Sequence, residues 1–322
     1  MKITPAITET LDRDDPAVQA AREAEIAAYD YYGIDHTEHY IELNDLGTRI
    51  RVVESGEGPP LVLIMGGRGK GMEWLPLMPE LDEYTLYVMD RPGGGLSDGI
   101  DYRSVPLDYL AAHSTISVFD HFELASAPVV GNSMGGLWTL RFAQAHPERV
   151  SSIALLGCPT AYPGTSAPLP MRIGSISVLS GLFVEQIMQP DDPDDARDGL
   201  AFFGHPEQTR ERLPNELVEA AYLMDTLPTY KPTWVGILQT VLRLRGATPD
   251  AAITTDDLRT IDQPVLLIWG RDDPFGSVET GRAGAQFFPD AEFHDVGMGH
   301  LPWFDDPETC GELLQEFLDP QE

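Results

Sequence analysis

The run Gly131-Asn132-Ser133-Met134-Gly135-Gly136 sets a serine among glycines, with the apolar stretch Ala127 to Val130 before it and the helix-like segment Leu137 to Ala145 after it. A serine in a tight strand-to-helix turn lifts its hydroxyl clear of the sheet. The flanking residues must be small, because side chains there would strike the neighbouring strand or helix. The same turn puts the amide of Met134 at a helix N-terminus, where it can face a developing oxyanion. Serine is a weak nucleophile near neutral pH, so this chemistry needs a histidine to take the proton and a carboxylate to orient the histidine. His300 suits the first role: it lies in Gly297-Met298-Gly299-His300-Leu301-Pro302-Trp303, a glycine-rich loop between a strand and the final helix. His113, His121, His146 and His294 fall in or beside regular elements and read as structural. For the carboxylate, Asp272 and Asp273 both follow the apolar run Val265 to Trp269, at the sheet edge where the sites of open parallel sheets gather. One of the two could instead cap a helix starting near Val278, a role that suits Asp272 better.

Short apolar runs at 61–64, 86–89, 128–130 and 153–156 alternate with helical segments at 72–81, 106–122 and 134–146. That rhythm describes a mostly parallel sheet with helices on both faces. A hairpin, 39–43 and 49–53 around Asn44 to Gly47, precedes it, and a leading helix over 14–32 begins at Asp14-Asp15-Pro16. Residues 158–255 break the pattern with prolines, an acidic run at 190–195 and amphipathic stretches at 215–225 and 233–244. The strand rhythm then resumes at 265–269 and 292–296, before a last helix at 306–318. The division expected is an N-terminal helical extension 1–38, a core 39–157 and 256–322, and an inserted helical cap 158–255.

With 52 acidic against 21 basic residues, formally −31, the chain is not expected to bind nucleic acid. Its lysines are Lys2, Lys70 and Lys231, and the acidic excess is spread along the chain. Such a surface fits a high-salt cytoplasm, where ions screen self-repulsion. No export signal and no membrane-spanning run is read, so a soluble cytoplasmic protein acting on a small molecule is expected. Cys158 and Cys310 match no disulfide or metal spacing, and no His/Cys/carboxylate cluster has ligand spacing, so neither metal nor cofactor is expected. Gly66-Gly67-Arg68-Gly69-Lys70-Gly71 fails the phosphate-loop pattern because Lys70 is followed by glycine.

Over roughly residues 39 to 318 the chain resembles the α/β-hydrolase superfamily. The motifs that carry the resemblance are the serine turn, Asp90-Arg91-Pro92-Gly93-Gly94-Gly95-Leu96-Ser97, Gly270-Arg271-Asp272-Asp273 and Gly299-His300. The resemblance implies an eight-stranded sheet and selects Asp273 over Asp272 as the acid beside His300. It assigns the loop 90–97 a structural role. It also places the oxyanion loop at Met65-Gly66-Gly67, with the amide of Gly67, or less favourably Arg68, as second donor beside Met134. The usual histidine of that loop is missing. A serine nucleophile excludes the subfamilies that use aspartate, such as haloalkane dehalogenases and epoxide hydrolases.

Two substrates then fit: a carboxylic ester, or a ring-fission product cleaved at a carbon–carbon bond, whose hydrolases the serine turn and Trp269-Gly270-Arg271-Asp272-Asp273 resemble. A non-catalytic receptor of the same fold is the third reading. Ring-fission products carry a carboxylate that must meet a cation or strong donors. The carbon–carbon hydrolases have an arginine where Ala221 stands here, and Arg68, Arg210 and Arg212 are the possible substitutes. A neutral apolar ester is therefore the substrate expected from sequence. Its pocket is expected to be lined by Arg68, Met171, Ile173, Leu182, Phe183 and Met188, with Trp303 at the edge.

Overall fold

The computed structural model describes residues 6–318; residues 1–5 of the expected extension and 319–322 of the expected core lie outside the described residues. Eight strands form one sheet: β1 His36–Leu43, β2 Thr48–Ser55, β3 Pro60–Ile64, β4 Thr85–Asp90, β5 Ala127–Asn132, β6 Val150–Leu156, and, after the hairpin strands β7 Leu242–Arg243 and β8 Gly246–Ala247, β9 Val265–Trp269 and β10 Ala291–Asp295. Their order is β1-β2-β4-β3-β5-β6-β9-β10, antiparallel at β1–β2 and β2–β4 and parallel beyond. Strand side chains alternate between faces, so Val62, Ile64, Val129 and Leu267 enter one apolar cluster and Leu61, Leu63, Val130 and Leu266 the other. Helices α2 Leu107–His121 and α3 Met134–Ala145 supply the first cluster. The other takes α1 Pro16–Tyr31 and the C-terminal α13 Pro307–Leu318.

Between β6 and β9 the chain forms α4 Leu169–Gly174, α5 Ser177–Phe183, α6 Pro193–Gly199, α7 Glu207–Arg212, α8 Asn215–Asp225, α9 Tyr230–Val241 and α10 Thr255–Arg259. The core resumes with α11 Val278–Ala285 and α12 Pro302–Asp305. Two expectations are corrected. The helix expected over 72–81 is two 3₁₀ turns, Gly71–Trp74 and Met78–Leu81; Pro76 and Pro79 deny the N–H groups a continuous helix would need. The helix expected over 233–244 ends at Val241, and Leu242 turns extended into the β7–β8 hairpin.

A sealed cluster of charges ties α1 to the sheet edge. Arg51 of β2, with 1 % of its side chain exposed, meets Glu25 of α1 at 2.5 Å, Glu38 of β1 at 2.9 Å and Asp90 of β4 at 2.9 Å. Burial pushes the Glu25 carboxyl up to about 7 even beside Arg51. The remaining Asp90 bonds go forward, Oδ1 accepting from Gly71 N at 2.7 Å and Oδ2 from Leu96 N at 3.0 Å, so this carboxylate also shapes the two loops behind the serine. α1 packs against α8 as well, which links the leading helix to the inserted segment.

Candidate active site

The end of β5 and the start of α3 hold Ser133 at φ 49°, in the left-handed region a non-glycine residue adopts only under constraint. Close packing permits the turn. A Cβ on Gly135 would stand 1.9 Å from the Ile64 carbonyl, and one on Gly66 2.6 Å from Ser133 Cβ, so each needs glycine. Met134 opens α3, and its amide is among those a helix leaves without an internal partner.

His300 Nδ1 lies 2.7 Å from Asp273 Oδ2, with both residues buried. That carboxylate also accepts from Cys158 N at 2.9 Å and Phe275 N at 2.9 Å, which fixes its orientation. Asp272 is exposed and points elsewhere; nor does it cap α11, since Ser277 accepts from Thr280 N there. His300 Nε2 is buried without a hydrogen-bond partner among the described residues, and Ser133 Oγ stands 3.4 Å from Thr160 Oγ1. Ser133 and His300 line the same cavity, of about 360 Å³. A hydroxyl that swings from Thr160 toward Nε2 gains its base, and catalytic hydrogen bonds commonly tighten only once substrate is present.

Several groups that sequence reading missed hold this arrangement. Asn132 Nδ2 donates to Leu156 O at 2.6 Å and His300 O at 3.1 Å, pinning the histidine loop to β6. Asp305 accepts from Met298 N at 2.8 Å and Gly299 N at 2.7 Å, and pairs with His205 at 3.1 Å, while His300 N donates to Phe203 O at 2.8 Å. Burial would raise the Asp305 carboxyl, but bonds from His205, Thr209 and the Gly299 amide hold it below its ordinary value. The ring of Phe275 lies 4.3 Å from that of His300, covering the imidazole with an apolar face.

Arg91, in the loop 90–97 expected to have a structural role, acts on a different loop, residues 65–67. Its fully buried guanidinium donates to Met65 O at 2.9 Å, to Gly66 O at 3.1 Å and to Gly67 O. Burial lowers its pKa, yet it faces carbonyls where a carboxylate would be usual. A trans peptide sets N–H opposite C=O, so holding the Gly66 carbonyl turns the Gly67 amide away from Arg91. Arg91 thereby holds the backbone of residues 65–67 in a loop that lacks the histidine usual there.

The cavity is lined from the core by Gly67, Arg68, Ser133, Met134 and His300, and from the inserted segment by Met171, Phe183, Met188 and Trp234 among others. Three expected lining residues are not there. Leu182 is 62 % exposed and Ile173 41 % exposed, both on the outer faces of short helices, and Trp303 is fully buried behind the wall, stacked on Trp74 at 4.2 Å with its Nε1 donating to Glu73 O. Of the candidate cations, Arg68 lines the cavity. Arg210 pairs with Asp198 and Arg212 donates to the carbonyls of Phe304 and Asp305, outside the lining. Ala221 is also on the wall. Among the described residues no group of three or more His, Cys, Asp or Glu could hold a metal ion, and no helix is long and apolar enough to cross a membrane.

A family model described as alpha/beta hydrolase fold matches residues 59–307. A 2-hydroxy-6-oxononadienedioate/2-hydroxy-6-oxononatrienedioate hydrolase of Paraburkholderia phymatum is 28 % identical over 298 residues, 88 % of this chain and 98 % of that protein. The solved structure of the 2-hydroxy-6-oxo-6-phenylhexa-2,4-dienoate hydrolase from Rhodococcus sp. strain RHA1 superposes with a TM-score of 0.69 at 19 % identity, covering 88 % of this chain and 99 % of that one. The naproxen esterase of Bacillus subtilis superposes with a TM-score of 0.66 at 19 % identity, covering 95 % and 99 %.

Proposed function

The chain belongs to the alpha/beta hydrolase fold family, and from that premise we propose that it is a serine hydrolase that cleaves a carbon–carbon bond in a carboxylate-bearing ring-fission product. Ser133 is the nucleophile, His300 the base, Asp273 the group that orients His300, and the amides of Gly67 and Met134 receive the oxyanion. Residues 158–255 act as the cap that roofs the site. The observation that carries the reading is that one cavity joins this serine turn and the His300–Asp273 pair to buried cations in an otherwise largely apolar wall. Relatives that span almost the whole chain and carry the names of dienedioate hydrolases support the substrate class, and favour it over the neutral ester expected from sequence.

In the first half-reaction Ser133 Oγ attacks the ketone carbon while its proton passes to His300 Nε2. As the tetrahedral intermediate collapses, the carbon–carbon bond breaks, its electron pair delocalises through the adjoining double bond onto the second ketone as a dienolate, and that fragment takes the proton held by His300. Water, deprotonated by His300, then attacks the acyl-enzyme, releasing the acid and restoring the serine. Steady-state kinetics on a carboxylate-bearing ring-fission diketone and on a neutral ester of similar size test the assignment. Efficient turnover of the diketone with weak ester hydrolysis is expected. Efficient ester hydrolysis with no diketone turnover would install the ester reading in its place.

A further inference from the structure

Beyond Gly67 the oxyanion loop continues into Arg68, Gly69 and Lys70, and both basic residues line the cavity that holds Ser133, together with Glu73 and with Asp225 at the end of α8. These four charges are not a solvated surface. The Arg68 side chain is 1 % exposed and the Lys70 side chain 11 %. Arg68 donates through its terminal nitrogens to Gly93 O, Thr229 Oγ1, Met224 O and Asp225 Oδ1, while its Nε is buried with no partner among the described residues. Lys70 Nζ sits 3.0 Å from Asp225 and 3.1 Å from Glu73. The guanidinium carbon lies 5.0 Å from the centre of the Tyr230 ring, so the head is fixed in place.

We propose that Arg68 and Lys70, held by Asp225 and Glu73, form the subsite that takes a substrate carboxylate. The proposal rests on the reading above and assigns the charge partner that reading requires. A buried carboxylate needs charge-assisted donors, and this is the part of the cavity wall where two preorganised cations adjoin the oxyanion loop itself. The loop's position matters: a carboxylate held here keeps the rest of an extended substrate within reach of Ser133.

The cluster has a further property. With two cations against two carboxylates it is formally neutral, so an entering anion leaves one negative charge in excess unless a proton accompanies it. Glu73 is the acceptor for that proton. The charged groups facing it are Lys70, Asp225 and Arg68, and burial raises its carboxyl above the ordinary value, with Asp225 acting in the same direction, despite the pull of Lys70. Burial would lower Lys70, but Asp225 and Glu73 hold it above its ordinary value, so it stays charged throughout. Anion binding thus takes up a proton at Glu73 from solvent and weakens as pH rises.

The test uses hexa-2,4-dienoate and its primary amide as probes, with affinities measured by calorimetry from acid to mildly alkaline pH. Protection of Ser133 from a fluorophosphonate shows that each probe occupies the cavity. The dienoate is expected to bind the wild-type protein about tenfold or more tightly than the amide at the acid end, a difference near 1.4 kcal/mol, and to lose affinity with rising pH. Lys70→Gln is expected to abolish the preference for the acid, and Glu73→Gln to keep the preference while flattening its pH dependence. An amide that binds wild-type protein as well as the acid overturns the proposal, and that comparison needs no folded variant. Lys70→Gln with an unchanged unfolding temperature and an intact preference overturns it too. Acid preference without diketone turnover would remove the carbon–carbon reading and leave the subsite standing; diketone turnover without acid preference would do the reverse.

Discussion

Two clusters of buried charge, built from the same kinds of group, sit on either side of the loop after β4 and do different work. Arg51 with Glu25, Glu38 and Asp90 is packed between a helix and three strands, one cation shared by three carboxylates held on regular elements, with Arg22 of the leading helix also reaching Glu38. Arg68 and Lys70 with Glu73 and Asp225 stand on the wall of the cavity, on loops and a helix end, with an Arg68 nitrogen that has no partner among the described residues. A sealed cluster can only hold the chain together, since nothing can enter it. An open one can also answer a ligand. The difference teaches that the access of a buried charge, more than its identity, separates a staple from a site.

That contrast predicts that changes on the cavity side alter turnover and changes on the sealed side alter stability. The largest effect belongs to the acid behind His300: Asp273→Asn is expected to lower kcat by about 10⁴ by favouring the wrong tautomer, with a stability loss of about 1–3 kcal/mol because its NH2 must face the Cys158 or the Phe275 amide. Asp272→Asn, on an exposed carboxylate one residue away, should leave kcat near wild type. On the sealed side, Arg51→Met takes the cation from Glu25 and Asp90, leaving Glu38 to Arg22, and is expected to cost about 3–5 kcal/mol in urea unfolding. Lys70→Met should cost clearly less, because Asp225 keeps Arg68 and Glu73 can take a proton; equal losses would erase the distinction drawn between the clusters.

Arg91→Met probes the ground between the two, a buried cation that holds the carbonyls of residues 65–67 and also meets the Tyr102 hydroxyl and the Trp138 ring. It is expected to lower kcat roughly 10²-fold with KM little moved, since the donor it positions acts on the transition state more than on bound substrate. A change in KM alone would mean that Arg91 supports the cavity instead. The smallest effect concerns pH. The folded-state value of Glu25, about 7, lies above its ordinary 4.5, so the folded protein binds more protons across that interval and stability falls as pH rises through it. Glu25→Gln is expected to flatten this slope in urea midpoints measured from about pH 4.5 to 7, and an unchanged slope would remove Glu25 as its source.

The three residues proposed as the triad stand out in the sequence because each lies in a short local pattern: a serine between glycines after a strand, an aspartate just past a strand end, a histidine in a glycine-rich loop. The sheet was legible from its apolar runs for the same reason. What sequence hid was long-range or backbone-borne. Arg91 works on three carbonyls about 25 residues earlier, and carbonyl direction leaves no mark on residue type. His205 and Phe203 brace the His300 loop from within the inserted segment, roughly a hundred residues away. Leu182 and Trp303 were misplaced because apolar character does not say which face of a short helix turns inward. The helix expected over 72–81 failed on Pro76 and Pro79, a signal that was present and outweighed by apolar spacing.

The claim on which all of this depends is that Ser133 is a nucleophile served by His300. Incubation with a fluorophosphonate, followed by mass spectrometry of the intact protein and of its peptides, tests it most directly. One label per chain is expected, on the peptide that carries Ser133, lost in Ser133→Ala and formed far more slowly in His300→Ala. A wild-type protein that stays unlabelled, or a label that survives Ser133→Ala, would contradict the account and favour a non-catalytic receptor of the same fold.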